Sequence, residues 1–282
     1  MKMNHATTVC AALLAAALLP LPACRSLVRE DRMGCPSQLQ FQVLNPELVP
    51  PAGEVLVTAC GEDTPQPLAT GSTTLPDLAD GSFRLAVPKL PEVEVYGGLG
   101  FRNGHEKGSA WVVDAGQDGD PIFRFWSRIP TLDETALVPV EFTKEYCRIT
   151  IWIVPDEADG GDCPVCLTAR AHTVGIDLES GLPVEGIYRY SPEERAPGLF
   201  SFTVPRQADE SLTLELTPKP GETDLPSRLG EIVLWPYLCR SDGFSWNLRN
   251  LPDAEIELDI RRSEIHISLT DWIEGAEIEF NL

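Results

Sequence analysis

Apolar residues in this chain recur at every second position, and almost no window places them at the i, i+3, i+4, i+7 spacing of a helix. The alternation is clearest in Leu39-Gln40-Phe41-Gln42-Val43, Phe83-Arg84-Leu85-Ala86-Val87, Val93-Glu94-Val95-Tyr96 and Cys147-Arg148-Ile149-Thr150-Ile151-Trp152-Ile153. It returns in Leu212-Thr213-Leu214-Glu215-Leu216, Ile256-Glu257-Leu258-Asp259-Ile260, Ile265-His266-Ile267-Ser268-Leu269 and Ile278-Glu279-Phe280. Each run offers one face to a core and the other to water, as in a half-buried strand of an antiparallel sheet. Turn clusters separate them: Asp80-Gly81, Arg102-Asn103-Gly104, Gln117-Asp118-Gly119-Asp120, Asp159-Gly160-Gly161-Asp162 and Ser241-Asp242-Gly243. Short strands at this spacing predict an all-β chain built of sandwiches.

The chain beyond residue 23 is long for one small sandwich, whereas two of about 120 residues fit the usual domain size. Residues 24–144 are expected to form an N-terminal sandwich and residues 145–282 a C-terminal one. The cut falls at Thr143-Lys144-Glu145, between the strand that ends near Phe142 and the one that opens at Cys147. This link is short and not of low complexity, so the two units are expected to pack together.

Before residue 24 the pattern changes. Met1-Lys2-Met3-Asn4-His5 carries one lysine and no acid, and Val9 to Leu21 is built almost wholly of Ala and Leu. That is the layout of an export signal. The run is short of the roughly 20 apolar residues of a spanning helix, and Pro20 and Pro22 interrupt its end. Residues 1–23 are therefore expected to be removed. Leu21-Pro22-Ala23-Cys24 resembles the lipobox of bacterial lipoproteins, which makes Cys24 the expected lipidation site, carrying palmitate-type acyl chains. Each buried CH2 contributes about 0.8 kcal/mol, so two or three chains would hold the rest as an ectodomain on a membrane tether.

The formal charge is −21. Such a surface repels phosphate backbones, and nucleic acid is not an expected partner. Cys10 leaves with the signal and Cys24 takes lipid, so Cys35, Cys60, Cys147, Cys163, Cys166 and Cys239 remain. An even number in an exported chain makes disulfides possible, with the pairing open.

The two ends of the mature chain carry a resemblance. Cys24 is followed by Val28-Arg29-Glu30-Asp31-Arg32-Met33-Gly34-Cys35-Pro36 and an alternating strand. Near the other end stand Leu251-Pro252-Asp253-Ala254-Glu255-Ile256-Glu257-Leu258-Asp259-Ile260, then Ile265 to Leu269, then Asp271-Trp272 and a closing strand. Together these are similar to the Bacteroidales fimbrial anchor family, the lipoprotein minor subunits of type V pili. The resemblance implies two tandem transthyretin-like sandwiches, and a role as anchor and terminator of a surface fimbria whose partners are stalk or other pilus subunits. It also implies that Leu39 to Leu44 stays in its own groove. The last strand, Glu277 to Leu282, either completes the second sandwich or lends its edge to a partner.

Catalytic patterns are missing. His105, His172 and His266 sit in no motif that would activate a nucleophile, and there is no G-x-S-x-G, no H-E-x-x-H and no Gly-rich phosphate loop. Cys163-Pro164-Val165-Cys166 has the spacing of a zinc or redox pair, but its flanks are a Gly-Asp turn and a strand, not a helix start, which favours a structural bridge or inert thiols. The acidic stretches Asp114 to Asp120 and Asp156 to Asp162 lack calcium-loop spacing and read as solvated turns. Neither enzyme activity, a metal nor a cofactor is expected. The rival to the anchor is a lipid-tethered binding module for glycans or host proteins, with Trp126, Trp152, Trp235, Trp246, Tyr188 and Tyr190 as a possible sugar platform, although most such aromatics serve cores. Trp272 reads as a core or turn anchor.

Overall fold

The computed structural model describes residues 35–61, 66–154, 163–220, 230–240, 244–259, 264–270 and 277–280. Residues 1–23, Cys24, the acidic stretch 156–162, Ser241-Asp242-Gly243 and Asp271-Trp272 lie outside them. Pro36–Leu282 forms one compact unit. Among the described residues, no helix is long and apolar enough to cross a membrane.

The first ten strands are β1 (Ser37–Val43), β2 (Glu54–Gly61), β3 (Ala69–Thr74), β4 (Arg84–Val87), β5 (Val93–Leu99), β6 (Gly104–Lys107), β7 (Ala110–Val113), β8 (Phe123–Ile129), β9 (Thr135–Val140) and β10 (Thr143–Lys144). The next ten are β11 (Tyr146–Ile153), β12 (Val165–Asp177), β13 (Pro183–Tyr190), β14 (Glu194–Ala196), β15 (Leu199–Pro205), β16 (Thr213–Pro218), β17 (Gly230–Val233), β18 (Asp253–Asp259), β19 (Glu264–Thr270) and β20 (Glu277–Phe280). Among the described residues, helix is confined to a turn at Pro46–Leu48 and to α1 (Leu75–Ala79) and α2 (Trp235–Leu238). Thr74 caps α1 by accepting a hydrogen bond from Asp77 N at 3.3 Å, which satisfies a donor the helix start leaves bare.

Four sheets carry the fold: β4-β1-β9; β10-β8-β5-β2-β3; β14-β15-β11-β18-β19-β20; and β17-β16-β12-β7-β6, with β13 also paired to β12. The all-β expectation is met, and each alternating run named above coincides with a strand over most of its length, Ile260 lying outside the described residues. The sheets are not purely antiparallel, however. β1 runs parallel to β9, and β11 runs parallel to β18. In each case the chain leaves through other strands before returning beside its start, the long crossover that a parallel pair requires.

Alternation builds the cores. Leu39 and Phe41 of β1, Val138 and Val140 of β9, Val55 and Val57 of β2, Val95 of β5 and Phe123 and Phe125 of β8 meet between the first two sheets. Phe125 meets Phe142 edge-on with ring centroids 5.5 Å apart, an arrangement that adds about 0.5–1.5 kcal/mol to the burial itself. A second cluster joins Ile149, Ile151 and Ile153 of β11 and Ile256 and Leu258 of β18 to Leu167 of β12 and Leu214 of β16. Each fully buried aliphatic or aromatic side chain contributes about 1.5–3 kcal/mol.

Chain order and sheet membership part company at one hairpin. β6 and β7 sit in sequence between β5 and β8, yet β7 pairs antiparallel with the end of β12, Val112 opposite Gly175. A Cβ on Gly175 would run into the Trp111 carbonyl, so a glycine permits this approach. The hairpin and the end of β12 bring Trp111, Ile176 and Leu178 onto Tyr96 and Ile122, a third and smaller apolar cluster.

The Thr143–Glu145 link is buried and bonded. The Lys144 side chain is 0 % exposed, with Nζ 2.8 Å from Leu251 O, 2.6 Å from Asp253 Oδ1 and 4.6 Å from the Tyr146 ring centroid. Arg206 donates from Nε to Glu145 Oε2 at 2.6 Å, and from its two Nη atoms to the carbonyls of Trp246, Leu248 at 2.7 Å, and Lys144 and Arg249, both at 3.2 Å. One guanidinium thus ties residues 144 and 145 to the loop that leads into β18.

Candidate functional site

β1 is the first strand of the described chain, and it lies in the middle of its sheet. It pairs antiparallel with β4 on one side, Leu39 opposite Leu85, and parallel with β9 on the other, Phe41 opposite Val138. Leu39 is 0 % exposed and Phe41 3 %. Just beyond β1, the Asn45 side chain accepts from Phe142 N and donates to Phe142 O, both at 2.9 Å, extending the link to the chain that follows β9.

The open side of β9 is blunted. Gln38 N donates to Glu134 O and Leu44 N to Val140 O, so the even-numbered residues of β9 turn their peptide groups toward β1. The odd ones, Thr135, Leu137 and Pro139, turn theirs to the side where no strand follows among the described residues. Pro139 has no N–H to offer, and its carbonyl already accepts from Ser127 Oγ. Proline on an edge is a common guard against strand addition. The face of this sheet that looks away from the core presents Gln38, Gln40 and Gln42 beside Leu137 and Pro139, a largely uncharged stretch in a strongly acidic chain. At the far end of the chain, β20 pairs with β19 and is the outermost strand of its sheet.

The six cysteines are free thiols rather than bridged. Cys147 and Cys163 occupy core positions, Cys60 is half-buried with Sγ 3.9 Å from the Tyr96 hydroxyl, and Cys35 and Cys239 are exposed. Burial pushes the Cys147 thiol up to about 12 and also raises Cys60 and Cys163. Cys147 and Cys163, which sit in the core, behave as small apolar side chains. Cys163 lies two residues before the start of strand β12, in which Cys166 lies, and no helix start supports a redox pair there. His105 meets Asp114 at 2.7 Å and His172 meets Asp209 at 3.2 Å, both on the surface.

The aromatic platform does not assemble. Tyr188 and Trp246 are buried, with the Tyr188 hydroxyl donating to Thr203 O at 2.9 Å, and Trp235 packs against the same core. Trp126 and Trp152 stand outward on two different sheets, 43 % and 47 % exposed. Sequence reasoning missed the company Trp126 keeps: Glu94, Arg124, Asp177, Glu179 and Ser180 line a cleft of about 510 Å³ with it. The alternation of Phe123-Arg124-Phe125-Trp126-Ser127-Arg128 could have placed Arg124 and Trp126 on one outward face, but the β12–β13 turn that brings the acids is a long-range effect.

No protein-family model matches the sequence, and no curated protein matches it. Solved structures do share its shape. A candidate polysaccharide-binding protein from Bacteroides thetaiotaomicron superposes with a TM-score of 0.60 at 11% identity, covering 88% of this chain and 98% of that one. The fimbrial anchor protein Mfa2 from Porphyromonas gingivalis gives 0.57 at 11% identity, over 88% of this chain and 100% of that one. A candidate adhesin from Bacteroides thetaiotaomicron gives 0.56 at 14% identity, over 88% and 99%. Nearly the whole length of each of these proteins is matched. The chain has the all-β fold of the Bacteroidales fimbrial anchor and adhesin-type proteins.

Proposed function

We propose that this chain is the anchor, or a closely related minor subunit, of a surface fimbria, held in the outer membrane by lipid on Cys24 and without enzymatic activity. Two sandwich units, 24–144 and 145–282, would carry load from the lipid to the fibre. The observation that carries the reading is the place of β1: the strand nearest the lipid is the centre of its own sheet, with Leu39 and Phe41 in the core. A subunit whose first strand stays home offers no vacant groove to an incoming strand, and Pro139 guards the neighbouring edge. Growth would stop there, and contact with stalk or other pilus subunits would run through strand pairing elsewhere, with the outermost β20 as one available edge.

The test is to cross-link cells expressing the full-length chain with its fimbrial partners, purify it from outer membranes and identify attached proteins by mass spectrometry. Wild type is expected to bring a sandwich-type fibre subunit. Cys24→Ala is expected to lose membrane attachment and shed fibres into the medium. A membrane-bound wild type that captures no subunit would end the anchor reading; retention of Cys24→Ala in the membrane would end the lipid tether.

A further inference from the structure

Trp126 is one of the few large aromatic side chains that the fold leaves outward, and its surroundings are ordered. Arg128, two residues along β8, places its guanidinium carbon 5.8 Å from the indole centroid and pairs with Glu92 at 2.9 Å and with Glu94. This clamps the ring. The cleft is lined on its β8 side by Arg124 and Trp126, so it opens on the Arg124 side of the indole. Its opposite wall is the turn between β12 and β13. Asp177 fixes that turn: Oδ1 accepts from Glu179 N at 3.1 Å, Ser180 N at 2.7 Å and Ser180 Oγ at 2.9 Å, and Oδ2 accepts from Ser109 Oγ at 2.6 Å. Gly181 follows at φ +74°, and a Cβ there would run into the Arg124 guanidinium. The glycine therefore leaves room for the arginine.

Arg124 and Glu179 line this cleft from its two walls. Arg124 Nε is buried with no hydrogen-bond partner, its closest carboxylate oxygen being Glu145 Oε1 at 3.8 Å. Glu179 shares the wall with Glu94 and Asp177, and burial together with those two neighbours raises its carboxyl above the usual range. A ligand here meets a flat apolar ring, the Arg124 guanidinium as a donor, and the Glu179 carboxyl, which can accept or donate. Sugar hydroxyls donate and accept, and the C–H face of a hexose stacks on an indole. Three acids against one guanidinium disfavour a sialic or uronic acid. The cleft's volume lies within the range of about 300–1,000 Å³ common for small-ligand sites.

We infer that the Trp126 cleft binds a neutral hexose unit of a glycan, stacked on the indole and hydrogen-bonded by Arg124 and Glu179. The inference does not rest on the anchor reading, since the cleft lies on a sheet face apart from β1 and its neighbours.

The experiment is isothermal titration of the detergent-solubilised full-length chain with glucan, mannan and galactan oligosaccharides, and with sialyllactose as the charged comparison. At least one neutral oligosaccharide is expected to bind. Trp126→Ala should weaken it about tenfold or more, while Trp126→Phe keeps part of the affinity. Trp152→Ala, equally exposed on another sheet, should leave it unchanged, and all three variants should melt like wild type. Absence of binding by every neutral sugar, binding of sialyllactose alone, or affinity indifferent to Trp126→Ala would overturn the assignment. Fibre attachment should survive Trp126→Ala in either case, which separates this test from that of the anchor.

Discussion

Arg206→Met is expected to lower unfolding stability by about 3–5 kcal/mol, the cost of breaking a buried ion pair from one side. The Arg206 side chain is 11 % exposed and Glu145 5 %. Removing the guanidinium leaves the Glu145 carboxylate in the interior, with Arg124 Nε at 3.8 Å as a remaining cation, and strips a donor from the carbonyls of Lys144, Trp246, Leu248 and Arg249. Methionine fills similar volume, so the loss is electrostatic and not a cavity. The effect should appear as a lower urea midpoint at unchanged slope. The pair Glu145→Gln with Arg206→Met should recover part of the stability, because no charge is then stranded. A single variant as stable as wild type would show that the Thr143–Glu145 link is not held by this arginine.

Phe41→Ala should cost a similar amount, about 3–5 kcal/mol, by a different route. Phe41 is 3 % exposed in the centre of β1, lies opposite Val138 in the β9 register, and its ring centroid is 5.4 Å from that of Phe83. Truncation opens a cavity between two sheets at the strand on which the terminating role depends. The consequence reaches function: a loosened β1 should exchange its amides faster than β11, the central strand of the other half. Stability within ~1 kcal/mol of wild type would mean that β1 contributes little to its own sheet, against the range expected for such a truncation.

Strands with large apolar residues at alternate positions were legible from sequence, and β1, β5, β11 and β18 are examples. β12 was not, because much of its inward face is small, with Ala169, Ala171 and Gly175 where a reader looks for Val or Ile. Both faces of β15 are buried, so Phe200-Ser201-Phe202-Thr203-Val204 alternates apolar with hydroxyl residues that are themselves enclosed. The excursion of β6 and β7 to β12 leaves no local mark beyond a pair of glycines, since pairing over such a separation is decided by tertiary packing. Lys144, read as part of the short link between two sandwiches, is wholly buried; no residue beside it announces Asp253 and Leu251 as partners. In the candidate site, that β1 is a strand followed from its alternation, and that it stays in its own groove was what the resemblance implied. The parallel partner β9 and its Pro139 guard followed from neither, because parity along a strand means nothing until the neighbour is known.

The most direct test of the account is amide hydrogen exchange across Gln38 to Val43 in the wild-type chain, alone and assembled with its fibre. The account predicts that β1 is as protected as β5 in both states, since it never leaves its place between β4 and β9. If the β1 amides exchange freely in the assembled state while β5 stays protected, β1 has given way to a partner strand, and the chain is a link in the fibre, not its end.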